Sequence, residues 1–177
     1  MSRFLTRIVL YVTTDEVDRL VEAWRRERPE LDVSPMEVLS RVTRLARHLD
    51  RARRSAFAAL GLEPWEFDVL AALRRSGAPY ELSPGTLLAQ TMVTSGTMTA
   101  RVDKLTARGL VTRRRDDQDR RAVKVALTDA GRAAVDAALD GLLAHERTIL
   151  ANVTPEDQAM LATLLRAVVI PFDDTAG

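Results

Sequence analysis

Helix-start and helix-stop signals recur along this chain at intervals that leave room only for short elements, and they divide it into seven helical segments and one break of β texture. Thr13-Thr14-Asp15-Glu16 reads as a capping box, in which the Thr13 hydroxyl and the Glu16 carboxylate each satisfy a free amide of the first turn. Val17, Leu20, Val21 and Trp24 follow at helical spacing, and Pro29 closes the segment. Ser34-Pro35-Met36-Glu37 reads as a second box, with proline at the first helical position. The helix behind it carries Val38, Val42, Leu45 and Leu49 on one face and is expected to run to Gly61. Three shorter helices are expected next: Glu63-Pro64 to Ser76-Gly77, Ser83-Pro84 to just before Val93, and Thr94 or Ser95 to Gly109. The texture then changes. Leu110–Arg115 and Ala122–Leu127 are short and β-branched, and the polar turn Asp116-Asp117-Gln118-Asp119-Arg120 between them makes a hairpin. Thr128 caps a helix to about Leu150. Thr154-Pro155-Glu156-Asp157 starts a last one, with Leu161, Leu164, Leu165 and Val168 on one face and Pro171 at its end.

The order predicts a mainly α fold with a small β-hairpin wing. Glu63–Leu127 reads as a winged helix-turn-helix. The flanking helices have apolar stripes too large for so small a middle domain, and they bury most economically against a second copy.

Several classes of chemistry are excluded by what the chain lacks. It has no cysteine, which removes disulfides, thiolate metal sites and thiol catalysis. Its two histidines, His48 and His145, cannot build a three-ligand metal centre within one chain. No Gly-rich phosphate loop and no nucleophile elbow are present. The carboxylates Asp116 and Asp117 fall in the hairpin turn, where a catalytic pocket is hard to form. We therefore expect no enzyme, no cofactor and no catalytic or metal site. The apolar run Ile8–Val12 is too short to span a bilayer and lacks a small-residue cleavage site. A cytoplasmic protein without a membrane partner is the expectation.

Charge is segregated. Thr94–Lys124 holds nine basic and four acidic residues, a balance of +5, against +1 for the whole chain and so −4 for the rest. A basic block on an otherwise acidic protein is the footprint of a nucleic-acid surface, or else a solvated arginine-rich face. The fifth helix by itself reads as readily as an ordinary amphipathic surface helix, and it is the hairpin behind it that tips the balance toward nucleic acid. Met98, Val102 and Leu105 form its apolar stripe, while Thr97, Arg101, Lys104 and Arg108 form a separate cationic one. Such a helix can lie in a major groove with its back buried. Thr94, Ser95, Thr97 and Thr99 cluster at its N-terminus, an end that also favours phosphate. Arg101 is the best candidate for a bidentate base contact. In the hairpin, Arg113 and Arg115 share a side, and Arg120 and Arg121 at the turn suit a narrow minor groove. Asp119 can pair with Arg121 and shape the tip, or serve simply as a turn residue.

At these residues the chain resembles the MarR family of transcriptional regulators. Gly109-Leu110-Val111, Asp119-Arg120-Arg121 and Leu127-Thr128 followed by Gly131 look like the end of that family's recognition helix, its wing and the wing exit. The resemblance covers nearly all of 34–169. It implies a homodimer, formed by the first and last helices, that binds an inverted-repeat operator in double-stranded DNA and is released by a small anion. A narrower resemblance is to the urate- and trans-aconitate-responsive, TamR-like branch. It rests on Trp24, Asp68, Arg75 and Arg101, on Gly61–Leu70 and on Met92–Thr99, and it implies that those four residues border a ligand pocket. Arg101 would then serve both ligand and DNA. Against this, Trp24 can be interface core, and Asp68 and Arg75 a surface charge pair.

The expected domains are an arm or leader at 1–12, N-terminal helices at 13–62 that dimerise and wall the pocket, the DNA-binding domain at 63–128, and C-terminal dimerisation helices at 129–177. The expected function is a ligand-responsive regulator, acting as a repressor, released by a citrate- or trans-aconitate-like anion or, second, by urate. Two alternatives stand beside it: a winged-helix module that binds protein, and an activator without a metabolite ligand.

Overall fold

The computed structural model describes residues 14–91, 93–115 and 123–173. The Thr13 cap, the 1–12 arm and Met92 therefore lie outside the described residues. So do Asp119, Arg120 and Arg121 of the wing tip. Seven helices and three short strands follow in the order α1 (Glu16–Glu27), α2 (Ser34–Ala58), α3 (Pro64–Arg75), β1 (Glu81–Leu82), α4 (Pro84–Thr91), α5 (Ser95–Ala107), β2 (Val111–Arg115), β3 (Val123–Leu127), α6 (Asp129–Ile149) and α7 (Pro155–Asp173). The fold is mostly helical with a small antiparallel sheet, as the sequence predicts. No described helix is long and apolar enough to cross a membrane.

The chain forms two compact units, which meet within α2 at Asp50 and Arg51. The N-terminal unit is α1 with most of α2. Val17, Val21 and Val33 are buried there with Met36 against them. The cap of α1 differs from expectation. Asp15, two residues beyond Thr13, accepts the amides of Val17 at 2.8 Å and Asp18 at 3.0 Å, and Asp18 accepts the Asp15 amide in return. A carboxylate can take both amides and complements the positive end of the helix, an advantage a threonine hydroxyl lacks. The box expected at Ser34 is also replaced: Asp32 accepts the Ser34 amide at 3.0 Å, and Glu37 pairs with Arg25.

The second unit is built around α3, whose Phe67, Val69, Leu70, Ala71, Ala72 and Leu73 are all buried. Around it lie Phe57, Leu87, Met98, Val102, Leu105, Val125, Val135 and Ala138. The Phe57 and Phe67 rings stack at 4.3 Å. Helix α2 ends three residues short of Gly61. Gly61 takes φ +64, and the amides of Gly61 and Leu62 reach back to the carbonyls of Ala58 and Phe57. The same closure, with Gly109 at φ +68, ends α5. Only a residue without Cβ takes this left-handed position at little cost.

Two further differences concern the end of the chain and the sheet. Pro171 lies inside α7 instead of ending it. In a last turn proline forfeits one backbone bond, while its φ still suits the helix. Strand β1 is not evident in the sequence at all, because two residues are too few to show alternation. It pairs with β3, giving the order β1-β3-β2.

Gly131 is the tightest point of this unit. A Cβ there would lie 2.0 Å from the Leu110 carbonyl oxygen, so α6 can reach the wing base only with glycine at this position. Gly131→Ala should destabilise the protein by about 2–3 kcal/mol through forced repacking. Gly141→Ala, in open space on the same helix, should stabilise it by about 0.5–1 kcal/mol. Urea denaturation of the two variants checks both signs.

Candidate nucleic-acid interface and adjoining cavity

Helix α5 presents the two faces its sequence predicts. Met98, Val102 and Leu105 are at most 2% exposed. Thr94, Ser95, Thr97, Thr99 and Lys104 are exposed, and Arg101 is half-buried. Thr94 is the N-cap, and its hydroxyl meets that of Thr97 at 2.9 Å. Thr99 donates its proton to the Ser95 carbonyl at 3.2 Å and retains only acceptor capacity. The first turn of α5 is thus a cluster of hydroxyls around free helix amides, a setting suited to phosphate oxygens.

The arginines divide into those turned outward and those held by the protein. Arg108 was expected on the DNA-facing stripe and is instead engaged by the protein, although its side chain stays partly exposed. Its guanidinium bonds the buried Glu66 carboxylate and, at 2.9 Å, the Gly61 carbonyl. Arg101 lies over the Trp65 ring at 5.4 Å. Arg113 pairs with Asp103 of α5 at 2.7 Å and so ties the wing strand to that helix. Arg115, on the same side of β2, is exposed. Arg114 points the other way and pairs with Glu81 of β1, which also accepts from Lys124 at 3.1 Å. Helical and strand periodicity assigns a residue to a face. It does not say which carboxylate the fold will bring beside it, and for Arg108 and Arg113 that partner decides.

The proposed ligand residues are only partly brought together. Asp68 and Arg75 line a cavity of about 330 Å³ with Arg53, Phe67, Ala71, Arg74, Val135, Asp136, Leu139, Leu142 and Glu146. Asp68 pairs with Arg53 at 2.8 Å, not with Arg75. Arg74 pairs with Asp136 at 2.8 Å. Arg101 does not line this cavity, and Trp24 belongs to the N-terminal unit, where it is 46% exposed. Arg53, Arg74 and the α6 carboxylates went unnoticed in the sequence, because each lies on a helix whose polar face gave no signal of its own. Among the described residues no group of histidines and carboxylates could hold a metal ion.

Known proteins support the same architecture. A sequence model described as the MarR family matches residues 60–122. The HTH-type transcriptional regulator PecS of Dickeya dadantii is 39% identical over 153 residues, which cover 86% of this chain and 92% of PecS. A cysteine-to-serine variant of MarR from E. coli, solved in complex with operator DNA, superposes with a TM-score of 0.64 at 25% identity. The match covers 78% of this chain and 99% of that one. BpsR of Bordetella bronchiseptica, whose DNA binding is regulated by 6-hydroxynicotinic acid, is 26% identical with a TM-score of 0.55, over 72% of this chain and 98% of BpsR.

The wing anchor has a pH signature. Burial pushes the Glu81 carboxyl up, but the bonds from Lys124 and Arg114 more than reverse this and leave it below its ordinary value. A depressed carboxylate contributes stability above its unfolded pKa and loses it as pH falls through the folded one. Glu81→Gln should lower the midpoint of thermal unfolding at pH 7 by a few degrees, about 1 kcal/mol. The gap from wild type should begin to narrow as pH falls through the ordinary carboxylate range and close only as pH passes the lowered folded-state value, where the wild-type carboxylate is protonated as well. Thermal scans from pH 7 to 3 measure this gap.

Proposed function

The chain belongs to the MarR family of DNA-binding transcriptional regulators, and from that premise we propose that it is a homodimeric repressor that binds an inverted-repeat operator and is released by a small anion. Its relatives are transcriptional regulators, not enzymes. The observation that carries the reading is the outer face of α5: a hydroxyl-lined N-terminus, then Arg101 and Lys104, beside the arginine-bearing strand β2. Thr94, Ser95, Thr97 and Thr99 are assigned to phosphates and base edges at the helix entry, Arg101 to a base, and Lys104 and Arg115 to phosphates. Asp119, Arg120 and Arg121 are assigned to the wing tip and its minor groove. Arg113 supports the wing through Asp103.

The dimer reading is supported by apolar surface that a lone protomer leaves open. Among its described side chains helix α7 has no buried residue, and Met160, Leu164, Val168, Val169, Ile170 and Phe172 are each at least 48% exposed. On α2, Val38 and Leu39 are more than half exposed. Exposed apolar side chains in this number on one helix belong in an interface. A two-fold axis would place the two α5 helices about 10 base pairs apart. The domain roles follow: 63–128 reads DNA, while 13–62 and 129–177 join the copies.

For the ligand, the cavity of Asp68 and Arg75 has the size and mostly apolar lining of a small-molecule site. Two of its three arginines, Arg53 and Arg74, are paired with Asp68 and Asp136, and the cavity also holds Arg75 and the Glu146 carboxylate. That balance leaves little free cation for a tricarboxylate such as citrate or trans-aconitate. It favours a planar anion of low charge, so urate moves ahead of them, a choice in keeping with the TamR-like resemblance and with the 6-hydroxynicotinic acid of BpsR.

An operator selected from random duplexes, followed by gel-shift titration, tests the whole reading. Arg101→Ala should cost about 10- to 100-fold on the operator. Lys104→Ala should weaken all sequences alike and reduce the salt slope by about 1. Urate should dissolve the wild-type complex and fail on Arg75→Ala. Dissociation by trans-aconitate alone would restore the tricarboxylate assignment, and indifference to both would remove the cavity from the mechanism. Separately, Leu164→Asp with Val168→Asp should give a monomer by sedimentation and abolish operator binding.

A further inference from the structure

Among the described residues Glu66 is the one buried polar or charged side chain, at 2% exposure. A carboxylate in such a place must be met by charge and by donors. Its Oε2 accepts the Glu63 amide at 2.9 Å, which closes the cap of α3, and it also accepts from Arg108 Nη1. The other arm of that guanidinium, Nη2, donates to the Gly61 carbonyl. Arg108 caps the C-terminus of α5, so this end of the helix is fastened to both sides of the turn that joins α2 to α3. Two turns earlier, on the same face of α5, Arg101 lies over the ring of Trp65. Two consecutive residues in the first turn of α3 therefore hold two cations seven residues apart on α5.

We infer that Trp65 and Glu66 form a clamp that sets the roll and tilt of α5 for reading DNA, and that Arg108 is a positioning residue of this clamp instead of a phosphate contact. The inference rests on α5 being the helix that meets DNA. The apolar back of α5 (Met98, Val102, Leu105) seats the helix on the core but attracts without direction. The bonds at Arg108 are directional, and hydrogen bonds weaken steeply with misalignment. Turning Arg108 out to a phosphate would leave Glu66 buried without its cation. Trp65 acts at the other end by holding the guanidinium of Arg101 at the point where it leaves the core.

The test compares wild type, Glu66→Gln, Arg108→Met and the double variant by fluorescence anisotropy, on the selected operator and on a random duplex across a salt series. Lys104→Ala serves as the reference for a lost phosphate contact. The clamp predicts that each single variant loses at least tenfold on the operator alone. Random-duplex affinity and both salt slopes stay at wild-type values, and the double variant is no worse than either single one, since both break the same unit. A salt slope lowered by about 1 on both duplexes in Arg108→Met, with Glu66→Gln unaffected, would make Arg108 a phosphate contact and overturn the inference. Wild-type operator affinity in both folded variants would overturn it too. Should these variants fail to fold, Trp65→Leu takes the ring from Arg101 without stranding a charge. It should show operator-specific loss at unchanged slope, and unchanged operator affinity would count against the clamp. Absence of any specific complex from the wild type would instead defeat the operator reading itself, and the inference with it.

Discussion

Burial of α3 is the constraint on which the rest of the C-terminal unit depends. Six of its twelve residues are buried apolar side chains, packed against α4, α6 and the sheet. Most of its remaining positions carry side chains that reach neighbouring elements. Trp65 and Glu66 in the first turn hold α5, Asp68 and Arg75 face the cavity, and Arg74 reaches Asp136 and the Tyr80 ring, 4.9 Å away, at the approach to β1. A helix so enclosed cannot shift without disturbing well-packed neighbours. On the proposed reading, a ligand that altered the cavity side of α3 would therefore act on the helix that also contacts α5 through Trp65 and Glu66.

Arginine is the dominant cation of this chain, 24 residues against two lysines, and the structure puts its fork geometry to two different uses. Where a partly exposed guanidinium meets a buried or nearly buried carboxylate, as at Glu66 and Glu81, it organises the fold. Where it stays outward, as at Arg115, or only half-enclosed, as at Arg101, it is available to a polyanion. Net charge conceals this division. The +5 of the 94–124 block counts Arg108, Arg113 and Arg114 as if they were free, although each is engaged by a carboxylate. Lys124 is engaged by Glu81 as well, and among the described residues the smaller remaining set, Arg101, Lys104 and Arg115, lies on α5 and β2.

Much of this was legible in the sequence. The starts of α3 to α6 fall at or beside the residues expected from capping and proline rules, because those signals act within four residues and need no tertiary context. The two faces of α5 followed from 3.6-residue periodicity for the same reason. What escaped depended on distant partners. Asp15 displaced Thr13 as the cap of α1, with Arg41 of α2 bonded to it at 2.9 Å. Arg108 was engaged by a carboxylate 42 positions away. Asp68 found Arg53 instead of Arg75. Strand β1 exists because β3 offers it an edge, and two residues carry no period of their own.

Hydroxyl-radical footprinting of the protein on its selected operator tests the central claim most directly, because it reports which sugars of the backbone are covered. Two protected clusters on one face of the duplex, related by a dyad and centred about 10 base pairs apart, are predicted for a dimer that inserts two α5 helices into successive major grooves. Weaker protection should flank them where the wings cross the minor groove. A single cluster without a dyad would contradict the dimeric reading. Uniform cover with no register would contradict sequence-specific recognition by α5.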